Sequence, residues 1–194
     1  MKELILASGN AHKISEIQEI LGNEYQVKGL KDLDIDIDII EDGNTYEENA
    51  FIKARAIAKH YDAYVIADDS GLEIFSLPDI LGIYSARFLG EDTSYEERFK
   101  EIYRLLENKD PSARFVCGIA LVTPEKKEYY VEGEIRGRIG KVSGNGGFGY
   151  DPIFYPEGSD KTTADISSEE KHKISHRGRA LEKLKKLLKE ISND

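Results

Sequence analysis

Tyr64-Val65-Ile66-Ala67-Asp68-Asp69-Ser70-Gly71 reads as a buried strand that ends in two adjacent acids and a tight turn. A short run of β-branched and aliphatic residues suits a strand covered on both faces. Burying a carboxylate is costly unless it is paired or bound to metal, so a double acid after such a strand calls for partners. Side chains alternate faces along an extended backbone, and only one of the two acids need enter a cleft. A plain strand-end turn, with one aspartate capping nearby amides, accounts for the same residues. Ser70-Gly71 permits the close backbone approach that phosphate sites use.

Upstream, Leu4-Ile5-Leu6-Ala7 reads as another buried strand. The loop Ser8-Gly9-Asn10-Ala11-His12-Lys13 leads from it into a helix with Ile14, Ile17, Ile20 and Leu21 on one face. Strand, glycine loop and helix form the first half of an α/β unit. Amides at that helix start, with Lys13, make a candidate anion site, although the spacing is not that of a P-loop. Ile35, Ile37 and Ile39 alternate with Asp34, Asp36 and Asp38, which predicts a strand with a solvated acidic face. Glu41-Asp42-Gly43 at its end offers a second carboxylate. One carboxylate from each of two strand ends suits Mg²⁺, which fills its shell with water and phosphate oxygens.

Downstream signals continue the pattern. Thr45 with Glu48 predicts a capped helix to about His60, and Thr93 with Glu96 a second one. Strands are expected over 113–123 and 128–134, flanking a hairpin at Pro124-Glu125-Lys126-Lys127. In the glycine-dense stretch 144–152, Phe148 and Tyr150 offer faces to a flat ligand or fill the core. Ser175-His176-Arg177-Gly178 precedes a final helix with Ala180, Leu181, Leu184, Leu187, Leu188 and Ile191 at helical spacing. Two basic side chains at a helix start oppose its dipole, which makes sense if an anion or a base acceptor sits there; a solvated turn is the other reading. No repeat or linker interrupts the chain, so a single α/β domain over 1–194 is expected.

Lys+Arg 27 against Asp+Glu 37 leaves a net charge of -10, which argues against nucleic acid as a partner. The single cysteine, Cys117, lies in an apolar run and reads as a core thiol; it allows no disulfide within the chain, which fits a reducing compartment. The first residues lack the apolar run of a signal peptide and nothing approaches a spanning helix, so a cytoplasmic protein with no membrane partner is expected.

Six blocks, in order along nearly the whole chain, resemble the inosine triphosphate pyrophosphatase family, which removes non-standard purine nucleotides such as dITP and XTP. They are Ser8-Gly9-Asn10…Lys13; Glu41-Asp42-Gly43…Thr45…Glu48-Asn49-Ala50…Lys53-Ala54; Ala67 to Leu72; Gly82 to Phe88; Gly146 to Phe154; and Glu170-Lys171…Ile174-Ser175-His176-Arg177-Gly178…Ala180. The resemblance implies an elongated mixed β-sheet flanked by helices, in two lobes with an active-site cleft between them, and commonly a homodimer. It implies a Mg²⁺-dependent nucleoside triphosphate pyrophosphatase with Asp69 as general base or principal metal carboxylate and Glu41 as a metal ligand. Ser8, Gly9, Asn10, Ala11, His12, Lys13, Lys53 and Arg87 would hold the triphosphate, and Ser70 would touch the substrate. Phe148, Gly149, Tyr150, Asp151, Lys171, His176 and Arg177 would surround the base. Two rivals stay open: a Maf-type pyrophosphatase acting on pyrimidine or modified nucleotides, and a non-catalytic nucleotide sensor. The chain departs from the family pattern at Leu77-Pro78-Asp79-Ile80-Leu81-Gly82, where a glycine-rich stretch is usual, and at His172.

Overall fold

A computed structural model describes residues 1–192. Its strands are β1 (Lys2–Leu6), β2 (Tyr25–Lys28), β3 (Tyr64–Ile74), β4 (Ser112–Val122), β5 (Glu128–Ile139) and β6 (Phe154–Pro156). Its helices are α1 (Ala11–Leu21), α2 (Tyr46–Ala58), α3 (Tyr95–Leu105), α4 (Ser168–Ile174) and α5 (His176–Ile191). The strands form one mixed sheet in the order β2-β1-β3-β4-β5-β6. β1 lies parallel to both β2 and β3, whereas β5 and β6 are antiparallel. This is the α/β class expected, a mixed sheet flanked by helices. The chain divides into two compact units: Met1–Asp69 with Cys117–Gly133 and the segment from Arg177 on, and Ser70–Val116 with Glu134–His176.

In the first unit the sheet is buried on both faces, as the continuous apolar strands require. Leu4, Leu6, Ile66, Cys117, Ile119 and Leu121 pack with Ile17 and Leu21 of α1 and with Ala180, Leu181, Leu184 and Leu188 of α5. Their strand neighbours Ile5, Ala7, Val65, Ala67, Ala120 and Val122 point the other way, onto Ala50, Phe51, Ala54 and Ile57 of α2. Leu181 and Leu184 are fully buried, and each contributes roughly 1.5–3 kcal/mol of apolar burial. The second unit has its own core, from Leu72 and Ile74 of β3 through Phe99, Phe115, Ile135 and Phe154. Leu77 and Leu81, from the segment that departs from the family pattern, are buried in it.

Several expectations are corrected. Residues 35–39 form no strand; Ile35 and Ile39 rest on the α2 side of the core while Asp34, Asp36 and Asp38 are exposed. Glu41 therefore does not follow a strand. One edge of the sheet is β2, where Tyr25-Gln26-Val27-Lys28 alternates apolar and polar residues over only four positions. Thr45 caps α2 through the Glu48 amide as expected, but the Glu48 carboxylate accepts the N–H of Asn44, one residue early. The second cap is Ser94, not Thr93: its hydroxyl accepts the Glu97 amide, and the Thr93 hydroxyl donates to the Leu89 carbonyl. α5 begins at His176, so His176 and Arg177 are its first residues and do not precede it.

Candidate active site

β3 does not stop at the double acid. It runs through Asp68 and Asp69 to Ile74, which corrects the expected strand-end turn. The strand's alternation then decides where each carboxylate goes. Ile66 faces α1 and α5, so Asp68 does too; Ala67 faces α2, so Asp69 does too.

On the first face Asp68 is 2% exposed and has three cations around it. Lys13 Nζ of α1 lies 3.3 Å from one oxygen, and Arg177 Nη2 of α5 lies 3.1 Å from the other. Burial by itself would raise this carboxyl, but Lys13, Arg177 and Lys53 outweigh it and hold Asp68 far below the usual carboxylate range. Arg177 also reaches Glu16 Oε1 at 3.2 Å, with both side chains buried. The anions expected at the start of α5 are thus the protein's own, Asp68 and Glu16. They neutralise a guanidinium that opposes the helix dipole.

On the second face Asp69, 7% exposed, sits in a different field. Lys53 of α2 lies 3.9 Å from its Oδ1 and 2.9 Å from Glu41, and donates to the Asp68 carbonyl at 2.6 Å. Asp69 Oδ2 is buried and has no hydrogen-bond partner among the described residues. Burial pushes Asp69 up to about 6; Lys53 and Lys13 pull against this, while Glu41 and Asp68 reinforce it. Burial opposes the charged form of Lys53, yet Asp68, Asp69 and Glu41 raise its pKa above the ordinary value. Two neighbouring carboxylates face opposite sides of one strand: Asp68 is ion-paired through both oxygens, and Asp69 only through Oδ1, to Lys53 at 3.9 Å.

That difference is the test of fit for a metal. No cluster of three or more His, Cys, Asp or Glu side chains converges among the described residues, so a closed site for zinc does not fit. An orphaned carboxylate oxygen on Asp69 and a half-buried Glu41, both beside Lys53, fit an ion that takes two carboxylates and completes its shell with water and phosphate.

The first loop is shaped for an anion in part only. Asn10 caps α1, and its side chain accepts the His12 and Lys13 amides at 3.0 and 3.3 Å. The Asn10 amide in turn donates to the Ser8 hydroxyl. The exposed Gly9, Asn10 and Ala11 and the half-buried Ser8 present the loop to solvent.

The second unit holds the remaining residues. Asp151 is buried, and Oδ2 accepts both the Phe148 amide at 2.9 Å and Lys171 Nζ at 2.8 Å, while Oδ1 accepts the Thr163 hydroxyl. The carboxylate expected near a base is therefore occupied in ordering the glycine loop and Lys171. Lys171 Nζ also lies 5.1 Å from the centre of the Phe148 ring. His176 stacks on Phe115 at 4.7 Å and 15°. The Tyr150 hydroxyl donates to the Ser85 carbonyl, Gly149 turns with φ +64°, and Ser70 is half-buried on β3. Arg87 is exposed at the end of a 3-10 turn and stacks over Tyr84. Sequence reasoning missed Glu16, Ser85, Arg98 and Thr163. Only Glu16 left a signal, a carboxylate on the apolar side of α1 next to Ile17.

The Ham1 family model matches residues 4–187. A dITP/XTP pyrophosphatase of Clostridium perfringens is 46% identical over 98% of this chain and 99% of its own length. Among solved structures, the Staphylococcus aureus Ham1 protein matches with a TM-score of 0.86 at 43% identity, covering 97% of this chain and 98% of its own. A HAM1 protein from Coxiella burnetii matches with a TM-score of 0.87 at 39% identity, covering 98% and 100%. These matches extend over the same blocks that carry the sequence resemblance, and the chain belongs to the Ham1 family.

Proposed function

We propose that this chain hydrolyses non-standard purine nucleoside triphosphates, dITP and XTP among them, to the monophosphate and pyrophosphate. Family membership supports the reaction class. One observation supports the site: Asp69 presents a buried carboxylate oxygen with no partner, beside Glu41 and Lys53.

Mg²⁺ is the metal we propose, held by Glu41 and Asp69. When bound it supplies positive charge against the oxygens of the breaking phosphoanhydride. Asp69, with its pKa lifted to about 6, would orient a water and take up its proton. Lys53 and Lys13 hold phosphate oxygens, and Lys53 keeps the two carboxylates from repelling one another. Asp68 is a positioning group, since both its oxygens face cations that α1 and α5 supply. In the second unit we read Arg87 as a triphosphate contact, and Phe148 with Lys171 as the aromatic face and donor for a 6-oxo purine. An adenine would leave such donors unpaired, a mismatch that buried sites penalise heavily. A homodimer in the cytoplasm is the proposed form. Among the described residues no helix is long and apolar enough to cross a membrane.

The test is a panel of dITP, XTP, dUTP, GTP and ATP with Mg²⁺, scored for pyrophosphate against orthophosphate. Pyrophosphate released fastest from dITP and XTP is the expected result. Preference for dUTP sinks the purine reading, and binding without turnover sinks catalysis.

A further inference from the structure

Arg98 of α3 is a buried cation with no carboxylate within ion-pair reach among the described residues. It is 2% exposed, and its guanidinium donates to backbone carbonyls with the side chains of Tyr95 and Tyr150 beside it. Nη1 donates to Ala86 O at 2.9 Å and, more weakly, to Ser85 O at 3.4 Å, and Nη2 donates to Gly90 O at 2.9 Å. Its Nε is buried without a hydrogen-bond partner, and the ring of Tyr95 lies 4.7 Å below the guanidinium carbon. Burying an uncompensated charge is expensive, and an aliphatic side chain would fill the space without that penalty.

All three carbonyls belong to the turn that carries Arg87. Within it Leu89 has φ 65°, a left-handed conformation that a bulky side chain seldom adopts, and Gly90 follows at φ 105°. The strained turn is pinned several times over. The Thr93 hydroxyl donates to Leu89 O, the Gly90 amide to Arg87 O, and Arg98 holds the carbonyls on either side. Strain that persists only because its surroundings enforce it points to function. The same turn is tied to the glycine-rich loop: the Tyr150 hydroxyl donates to Ser85 O at 2.6 Å, and Tyr95 meets Tyr150 edge-on at 5.1 Å.

We infer that Arg98 is a positioning residue that fixes the Ser85–Gly90 turn and thereby presents Arg87 to the triphosphate. The inference rests on the reading of Arg87 as a triphosphate contact. A guanidinium suits this task because its planar fork reaches carbonyls in several directions at once, and its charge strengthens each bond. A lysine keeps the charge but cannot span the same acceptors.

The experiment is a double-mutant cycle on the full-length enzyme with dITP and Mg²⁺, pairing Arg98→Lys with Arg87→Ala. Thr93→Val, which removes a surface clamp from the same turn, serves if Arg98→Lys does not fold. Arg98→Lys is expected to raise KM about ten-fold, the scale of one lost charged contact, with kcat within about two-fold. In the Arg87→Ala background it should raise KM no further; Thr93→Val should follow the same pattern with a smaller effect. KM effects that multiply across the cycle, or a fall in kcat at unchanged KM, overturn the positioning role. If Arg87→Ala raises KM while neither Arg98→Lys nor Thr93→Val does, the inference fails and the reading of Arg87 stands. If Arg87→Ala leaves KM unchanged, that reading fails and takes the inference with it.

Discussion

Arg177 and Asp68 meet at 3.1 Å with both side chains almost wholly buried, 109 positions apart in sequence. Arg177 also reaches Glu16, so removing it takes a cation from two buried carboxylates of the first unit, although Asp68 keeps Lys13 at 3.3 Å. Breaking a buried pair from one side costs about 3–5 kcal/mol, and Arg177→Ala should lose that much in urea unfolding. The pair Arg55–Glu128 has better geometry, two bonds of 2.7 Å, but is half-exposed. Arg55→Ala should cost less than about 1 kcal/mol. Similar losses for the two variants would refute the weight placed on burial here.

How much of this was open to sequence reading follows from the range of each signal. α1, α2 and α5 were legible because their apolar faces repeat over many residues. β2 was not, since four residues give a period-2 pattern too little length. Residues 34–39 misled, because alternation of Ile and Asp speaks to local pattern and a strand needs a partner edge as well. Asp69 and Glu41 were named from sequence as carboxylates that suit a metal, whereas Lys53 entered only through the family resemblance. That Asp68 and Asp69 part company, one ion-paired through both oxygens and the other through one, was beyond sequence. It depends on which helix covers which face of β3 and on Arg177 arriving from the far end of the chain.

Cys117 lies fully buried among the packed strands of the first unit, and burial pushes its thiol up to about 12 against the opposing pull of Arg177. Below its ordinary value near 9 both the folded and the unfolded chain keep the proton. Between those two values only the unfolded chain releases it, so stability falls as pH rises, by up to about 1.4 kcal/mol per pH unit. Cys117→Ala should flatten this alkaline slope. At pH 8 the native thiol should resist a thiol-reactive dye and react once on unfolding; prompt reaction in the native state contradicts the burial argument.

Gly147 and Gly149 both have positive φ, +63° and +64°, yet differ in what a side chain would meet. A Cβ on Gly147 would stand 2.1 Å from Asp151 Oδ2, the oxygen that holds the Phe148 amide and Lys171. On Gly149 the nearest contact is Tyr95 Oη at an ordinary 3.6 Å. Gly149→Ala should therefore cost only the backbone strain, about 1–2 kcal/mol. Gly147→Ala should cost about 2–4 kcal/mol by adding a clash to that strain, and should raise KM for dITP. Equal thermal shifts for the two would mean that Asp151 does not lock this loop.

Asp69→Asn separates catalysis from folding. The native carboxylate is buried, and its Oδ2 has no partner, so it is a burden on stability that a charge-neutral amide relieves. The melting temperature of Asp69→Asn should equal or exceed that of the native chain, the trade-off expected where a site keeps a destabilising group for its chemistry. Pyrophosphate release from dITP should meanwhile fall by about 10²–10⁴, the range a positioned proton acceptor supplies. Asp68→Asn should do the reverse in stability, because it unbalances Lys13 and Arg177 in the same core. Full turnover in Asp69→Asn at saturating Mg²⁺ would remove Asp69 from the reaction and leave its orphaned oxygen without a purpose.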